Sequence, residues 1–534
     1  MSPFFKKSNP NTDQTLRYLE SKIVNEHKNK PISGSLEDNI QLLKNIFEKD
    51  LDYSFRRFEL FNQIPSAIIY FQSLVDKEKI NQDIIKLLQE HRMVEENKDK
   101  IPQYIIENVL YYNDTTTVKD MSKIISAIMQ GKAVVFIDGC LEALELDVLQ
   151  LEKRSIDEPD TERAVRGPRD GFIEQLSINI SLLRYRLPIP EFRVEETEVG
   201  VRTKTKVAVC YIEDIANPAL VEEVKQRIDA IEIDGILDSG YIEQMIEDNP
   251  KSPFPQVINT ERPTKVVGNL LEGRVAILMN GSPSALVVPA TFSQFYQTTE
   301  DYNEHWVISS FVRIFRIIAL VFSLTFSSIY ITFISFHPEL IPAKYVVAAT
   351  SGRHSIPFPV MFEVLMMELS MEVLREASVR MPQQVGGALS IVGVLVVGQA
   401  AVQAGFVSPI TVVIIGMSTI GSFAVPSYNA ANTFRMLRFA LILLAGTLGL
   451  LGIAIGLMVV VNHMLSLRSF GVPYIAPYAP LNIKALKDTI VRAPFYQLKK
   501  RPQNIYPQDQ TRMGEMVEDH TDYNFLEERK REKR

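Results

Sequence analysis

IIALVFSLTFSSIYITFISF, residues 317–336, contains no charged side chain. A helix rises about 1.5 Å per residue, so about 20 apolar residues cross a hydrocarbon core roughly 30 Å thick, and this stretch is long enough to do so. Trp306, Arg313 and Arg316 stand just before it. Trp settles among lipid headgroups and Arg favours the cytoplasmic side, so the span is predicted to run outward. Two further apolar runs, Gly387–Gly405 and Val407–Val425, meet at Ser408-Pro409, a helix break that predicts a hairpin. Phe439–Val461 is the last predicted span, and its Gly446, Gly449, Gly452 and Gly456 include a GxxxG pair that lets another helix approach closely. Residues 462–501 hold Arg468, Lys484, Lys487, Arg492, Lys499, Lys500 and Arg501 against the single acid Asp488, so this tail is predicted to be cytoplasmic. Four crossings with both ends inside are expected. Lys344, Arg353, Arg375 and Arg380 then fall in the segment placed outside.

Upstream, residues 1–305 are mixed polar and mildly acidic. The opening MSPFFKKSNPNTDQ lacks the apolar core of a secretion signal, so this half is expected in the cytoplasm. A net charge of −7 provides no basic field for a phosphate backbone and argues against nucleic acid as a partner. Cys140 and Cys210 lie in apolar, strand-like stretches with no second ligand at metal-binding spacing, and are expected as buried reduced thiols.

The soluble half carries an internal repeat. AIIYFQSLVDKEKINQDIIKLL, from Ala67, parallels VAVCYIEDIANPALVEEVKQRI, from Val207, as strand, polar turn and helix-period segment. GKAVVFIDGCLEALEL, from Gly131, parallels GRVAILMNGSPSALVV, from Gly273, and each sets Asp-Gly or Asn-Gly between two apolar runs, a strong hairpin signal. The expected fold is an α/β cytoplasmic domain of two similar subdomains plus an α-helical multi-pass membrane domain. Its expected parts are a variable N-terminal extension (1–50), a first subdomain (51–160), a second subdomain (161–305), a transmembrane domain (306–462) and a basic, then mixed-charge, cytoplasmic tail (463–534).

ERAVRGPRDGFIEQL (162–176) lies between the repeats. Gly167-Pro168 and Asp170-Gly171 read as turns, with Arg166 and Arg169 in salt bridges at a subdomain or subunit junction. Alternatively, the two arginines receive an anion or a partner's carboxylate. A second stretch, PFPVMFEVLMMELSMEVLREASVRM (357–381), has helical period and reads as an amphipathic or re-entrant helix. Glu368, Glu372 and Glu376 recur every four residues and so share one face. Either this is an interfacial helix with its acids in water, or the acids line a vestibule or pore in an oligomer and Leu365 or Leu369 forms an apolar constriction.

No enzyme motif emerges. None of the seven histidines forms HExxH or an i,i+4 pair with another, neither a P-loop nor GxGxxG is present, and GMSTIG (416–421) is one residue too long for a GxSxG elbow. No catalytic, cofactor or metal site is expected. A secondary transporter is a stronger alternative than a membrane enzyme, although about four spans are few for a complete carrier.

VRGPRDGFIE (165–174) with SINISLLRYRL, TKVAVCYIEDIANP, FPQVINTERP, LLEGRVAILMNGSPSALVVPATF, IPFPVMFEVLMMELSMEVLREASVRMP, GGALSIVGVLVVGQAAVQAGFVSP and FAVPSYNAANTFRMLRF together resemble the A subunit of bacterial spore nutrient germination receptors, over about residues 60–500. Homologous spore membrane proteins outside those receptors share these strings. The resemblance implies a spore inner-membrane receptor in which a transporter-like B subunit binds nutrient, a lipoprotein C subunit docks alongside, and A subunits form a homo-oligomeric ion channel.

Overall fold

The computed structural model describes residues 21–91, 100–110, 115–150, 166–342, 352–379, 398–483 and 485–513, together with Pro159, Glu162, Lys344, Val346 and Val347. They fall into two compact units, drawn from 1–247, 257–289 and 493–534 for the first and from 248–256 and 290–492 for the second.

The first unit contains two five-stranded sheets. Strands β1 (Tyr53–Leu60), β2 (Ile64–Phe71), β3 (Thr115–Val118), β4 (Lys132–Ile137) and β5 (Ala143–Asp147) form one, in the order β1-β2-β4-β5-β3. Strands β6 (Phe192–Val199), β7 (Thr205–Ile212), β8 (Ile258–Thr260), β9 (Val275–Met279) and β10 (Ala285–Val288) form the other, in the order β6-β7-β9-β10-β8. Adding five to each strand number of the first sheet gives the second, and every neighbouring pair is antiparallel. β9 is buried along its whole length and β4 from Ala133 onward, as central strands covered on both faces should be. The β4–β5 and β9–β10 connections turn at Gly139 (φ 82°) and Gly281 (φ 92°), a backbone region favourable to glycine.

The repeat also includes a helix at each start. Helix α1 (Leu36–Phe47) belongs to the first repeat, and α2 (Met121–Met129) packs on its sheet. Helix α3 (Leu176–Arg186) opens the second repeat, followed by α4 (Pro218–Asp229) and α5 (Pro263–Leu270). Buried Asn39 donates to the Ser33 carbonyl (2.7 Å) and accepts from the Ser33 N–H (3.1 Å). Buried Asn179 does the same with Ile173, at 2.5 and 2.9 Å. The first N–H of each helix is capped from the hairpin turn, Leu36 by Asp138 and Leu176 by Asn280. Residues 33–50, assigned from sequence to a variable extension, are thus part of the first repeat in the structure. Residues 493–513 also join this unit: Gln508 donates to the Ala216 carbonyl at 2.6 Å and Arg501 to that of Leu271 at 2.7 Å.

The second unit is helical: α6 (Trp306–Ser335), α7 (Val360–Val379), α8 (Pro409–Phe423), α9 (Tyr428–Leu448) and α10 (Leu450–Ser466). Among the described residues, α6 and α9 are long and apolar enough to cross a membrane, whereas α8 and α10 are shorter apolar helices. The predicted span Phe439–Val461 is not one helix. It breaks at Gly449 (φ 60°), and α10 folds back along α9. A Cβ on Gly452 would overlap the Leu444 carbonyl oxygen and one on Gly456 the Leu441 side chain, so the GxxxG pair receives the chain's own preceding helix. Most of the predicted span Gly387–Gly405 lies outside the described residues, as does Arg380.

Two antiparallel pairs stand out among the described helices. α8 runs against α6, with Thr411 beside Tyr330 and Ser418 beside Ser323. α7 runs against α9: Met361 lies at Gly446, Glu368 at Arg438 and Glu372 near Arg435. Helix α7 therefore spans the bundle along its length, where the sequence suggested an interfacial or re-entrant helix.

Candidate functional site

The two repeats of the first unit meet at a buried charge cluster. Arg184, on α3, has no solvent exposure. Its Nε donates to Asp52 Oδ2 at 2.8 Å and its Nη2 to Asp52 Oδ1 at 2.7 Å and Asp50 Oδ1 at 2.8 Å. The second Asp50 oxygen accepts from Arg193 Nη1 at 3.0 Å, and Arg193 reaches on to Glu213 at 2.7 Å. The Arg184 guanidinium lies 4.2 Å from the centre of the Phe71 ring. Main chain crosses the same seam, where the Leu51 N–H donates to the Val194 carbonyl at 3.1 Å. Burial pushes the Asp50 carboxyl above its ordinary range, opposed by Arg184 and Arg193. Burial also pushes the adjacent Cys210 thiol up to about 12. Removing one partner from such a cluster strands a charge in a dry interior, which costs about 3–5 kcal/mol.

The string VRGPRDGFIE lies just before this cluster in sequence and contributes differently. Arg166, Gly167, Pro168 and Arg169 are exposed, Asp170 pairs with Arg186, and the Pro168 carbonyl accepts from Arg262 at 3.0 Å. The left-handed backbone falls on Gly167 (φ 127°), while Gly171 is buried and outside that region. Ile173 and Glu174 are gripped by Asn179 and by the Gly281 N–H, at 2.7 Å from the Glu174 carbonyl. The string thus shapes the entry to α3, and the inter-repeat ion pairs come from the helix itself. Sequence reasoning missed Arg184, Asp50, Asp52 and Arg193. A signal existed: Leu176, Ile180 and Arg184 repeat every four residues, placing a charge on an apolar helix face that must find a buried partner.

In the helical unit the three acids of α7 sit in three environments. Glu368 is buried and receives Arg438 Nη1 at 3.0 Å and the Ser327 hydroxyl at 2.9 Å. Glu372 is half-buried, 2.6 Å from Arg375 and 3.8 Å from Arg435. Glu376 is exposed. Four helical residues turn through about 400°, so each step of four rotates the side chain about 40° further round the axis, and the row winds out of the bundle. Leu365 is half-buried against the core, whereas Leu369 is 60% exposed. Phe362, Met366, Leu369 and Val373 form an exposed stripe with 4-3-4 spacing, continued by Glu376. A fourth acid, Glu363, is fully buried: it pairs with Arg353 at 2.8 Å and accepts from the Ser408 N–H and Thr411 hydroxyl at the start of α8. Among the described residues, no three His, Cys, Asp or Glu side chains converge as a metal centre requires.

Comparison with known proteins yields concordant matches. The chain is 40% identical over 519 residues to spore germination protein KA of Bacillus subtilis (strain 168), covering 96% of this chain and 95% of that protein. It is 38% identical to the uncharacterized membrane protein YfkQ of the same organism, covering 96% and 98%, and 35% identical to spore germination protein GerLA of Bacillus cereus, covering 90% and 97%. The crystal structure of the N-terminal domain of the A subunit of the Bacillus megaterium spore germinant receptor GerK3 aligns at 30% identity and a TM-score of 0.40, covering 49% of this chain and 98% of that domain. With its residues 41–504 matched by the family of Bacillus/Clostridium GerA spore germination proteins, the chain belongs to that family.

Proposed function

We propose that the chain is the A subunit of a nutrient-responsive germination receptor of the spore inner membrane. It assembles with a transporter-like B subunit and a lipoprotein C subunit, and its helical unit oligomerises into a ligand-gated cation channel. The observation that carries the channel reading is the exposed 4-3-4 stripe of α7, Phe362, Met366, Leu369 and Val373, ending at exposed Glu376. A heptad-like apolar seam on a helix is suited to meeting its own copies. Around a symmetry axis, the apolar residues form rings that gate by dewetting, while Glu376 attracts cations at one mouth. Glu368 is assigned a structural role, because Arg438 already neutralises it.

Ion flux through liposomes holding the full chain, at matched protein levels, tests this reading. Glu376→Gln is expected to lower cation-over-anion preference, Glu376→Lys to lower it further, and Leu369→Ala to raise flux without nutrient. Unchanged flux and selectivity across all three variants would place the pore elsewhere. The likeness to YfkQ supports a second reading, a related membrane protein outside the nutrient receptors. Co-purification with B and C subunits from spores separates the two.

A further inference from the structure

We propose that Arg435 and Arg375 form a binding site for the phosphate of an anionic phospholipid, at the end of the helical bundle where α6 begins. This rests on the reading that the helical unit lies in a membrane. The argument begins with a charge inventory. Among the described residues, where α7 meets α9, three guanidinium groups, Arg375, Arg435 and Arg438, face two carboxylates, Glu368 and Glu372. Glu368 is occupied by Arg438 at 3.0 Å and Glu372 by Arg375 at 2.6 Å. Arg435 is left with Glu372 at 3.8 Å, beyond hydrogen-bonding distance, and with the Asn432 side-chain oxygen. The next acid, Glu376, is exposed one turn further on.

This surplus cation is not a solvated surface charge. The Arg435 side chain is only 9% exposed, and that of Arg375 12%. Among the described residues, the Nε atoms of both are buried without a hydrogen-bond acceptor. A buried guanidinium edge with unmet donors and excess positive charge calls for an anion with several acceptor oxygens, and phosphate geometry suits it. The surroundings indicate which phosphate. Arg375 packs 5.3 Å from the ring of Phe423, and Phe423, Tyr428 and Met436 around the cluster are all more than half exposed. An apolar, partly aromatic rim beside a cationic niche matches acyl chains beside a headgroup, whereas a free phosphate ion makes no use of it. The cluster lies at the level where α8 ends and α9 starts, the end of the bundle expected to face the anionic cytoplasmic leaflet.

Native mass spectrometry of the detergent-solubilised full chain, titrated with phosphatidylglycerol or phosphatidylcholine, tests the site. The wild-type chain is expected to retain phosphatidylglycerol about fivefold more tightly, the gain for one interfacial cation on an anionic lipid. Arg435→Gln should abolish that preference, and Arg468→Gln, at an exposed position that forms no hydrogen bond or ion pair with the cluster among the described residues, should leave it intact. Glu372→Gln should strengthen it, because it removes a competing carboxylate; this opposite sign decides the matter if Arg435→Gln fails to fold. A preference unchanged in Arg435→Gln, or weakened in Glu372→Gln, overturns the proposal. So does inorganic phosphate displacing phosphatidylglycerol as effectively as the lipid itself, which would make this a free-anion site. Release of the chain from membranes by alkaline carbonate without detergent overturns the membrane reading beneath it, independently of any headgroup preference.

Discussion

Replacing Arg184 with Ala should loosen the seam between the two repeats more than any change in the VRGPRDGFIE string. The substitution leaves Asp50 and Asp52, both buried, facing each other without their main counter-charge. Breaking a buried pair from one side costs about 3–5 kcal/mol, so the open population should rise by about two to four orders of magnitude. Cys210 is a convenient reporter: it lies buried on β7 beside this cluster, with a thiol pushed up to about 12. In a Cys140→Ser background, alkylation of the full chain in detergent by an uncharged maleimide measures how often the seam opens. Alkylation should accelerate by those orders of magnitude in Arg184→Ala and by less than about fivefold in Arg169→Ala, whose exposed side chain makes contacts worth about 0–1 kcal/mol. Substituting Asp50→Asn and Asp52→Asn as well should restore most of the protection, since the stranded charges are then gone. The pH dependence has a definite sign. The folded-state value of Asp50 is raised, so its contribution to stability is full below its unfolded value and fades as pH rises through the folded value. Loss of Arg184 raises it further, so the deficit should be smallest in acid and grow toward neutrality. Equal acceleration in Arg169→Ala and Arg184→Ala, or a deficit that shrinks as pH rises, would refute the reasoning.

Glu368→Gln should lower the thermal midpoint of the detergent-solubilised chain through the loss of its bond to Arg438, while leaving cation selectivity close to that of Arg438-paired wild type; Glu376→Gln should do the reverse. Asn39→Ala and Asn179→Ala each delete a reciprocal pair of main-chain bonds and should each destabilise their repeat by about 1–3 kcal/mol in denaturant unfolding, with similar size in the two repeats. Glu243 is pushed up to about 7 by burial and by Glu247 and Asp238. Its contribution to stability is therefore present in acid and lost as pH rises through 7, so Glu243→Gln should flatten the fall in thermal midpoint between pH 6 and 8, values set around that pKa of about 7.

Apolar run length made α6 legible, because a charge-free stretch of that length has few other fates. The same measure misread Phe439–Val461, since hydropathy is equally satisfied by one spanning helix and by two helices folded at Gly449. Backbone contact between Gly452 and Leu444 is what distinguishes them. The strand repeat was readable from the hairpin turns at Gly139 and Gly281. Its opening helix was legible too, since Leu36, Asn39, Ile40, Leu42 and Leu43 match Leu176, Asn179, Ile180, Leu182 and Leu183 at corresponding places, but the match is short and falls ahead of the first apolar strand. The ionic seam was sought in Arg166 and Arg169 because a Gly-Pro-Arg-Asp string is conspicuous. Conspicuous polar residues are usually solvated, however, and the charges that bind repeat to repeat are hidden among apolar neighbours, as Arg184 is among Leu183, Leu182 and Ile180.

The helix directions constrain how such a chain is threaded through a membrane. Residues 493–513 belong to the same compact unit as the two sheets, so on the proposed membrane reading the chain between 290 and 492 makes an even number of passes. Hydropathy alone gave four spans, but α9 and α10 are separate, antiparallel helices where one span was expected, and the same bundle holds α7. It runs against α9 from Met361 at Gly446 to Glu372 near Arg435. Val360, which opens α7, and Val407, which precedes α8, sit in one cluster with Tyr330, so α7 and α8 start at the same end of the bundle. A helix bearing Glu363, Glu368, Glu372 and Glu376 is an improbable span by composition. Arg353, Arg438 and Arg375 supply the counter-charges that make it tenable, each on the acid it neutralises. The acids that hide α7 from a hydropathy scan are therefore the residues that tie it into the bundle, and Glu376 is the one whose side chain is exposed.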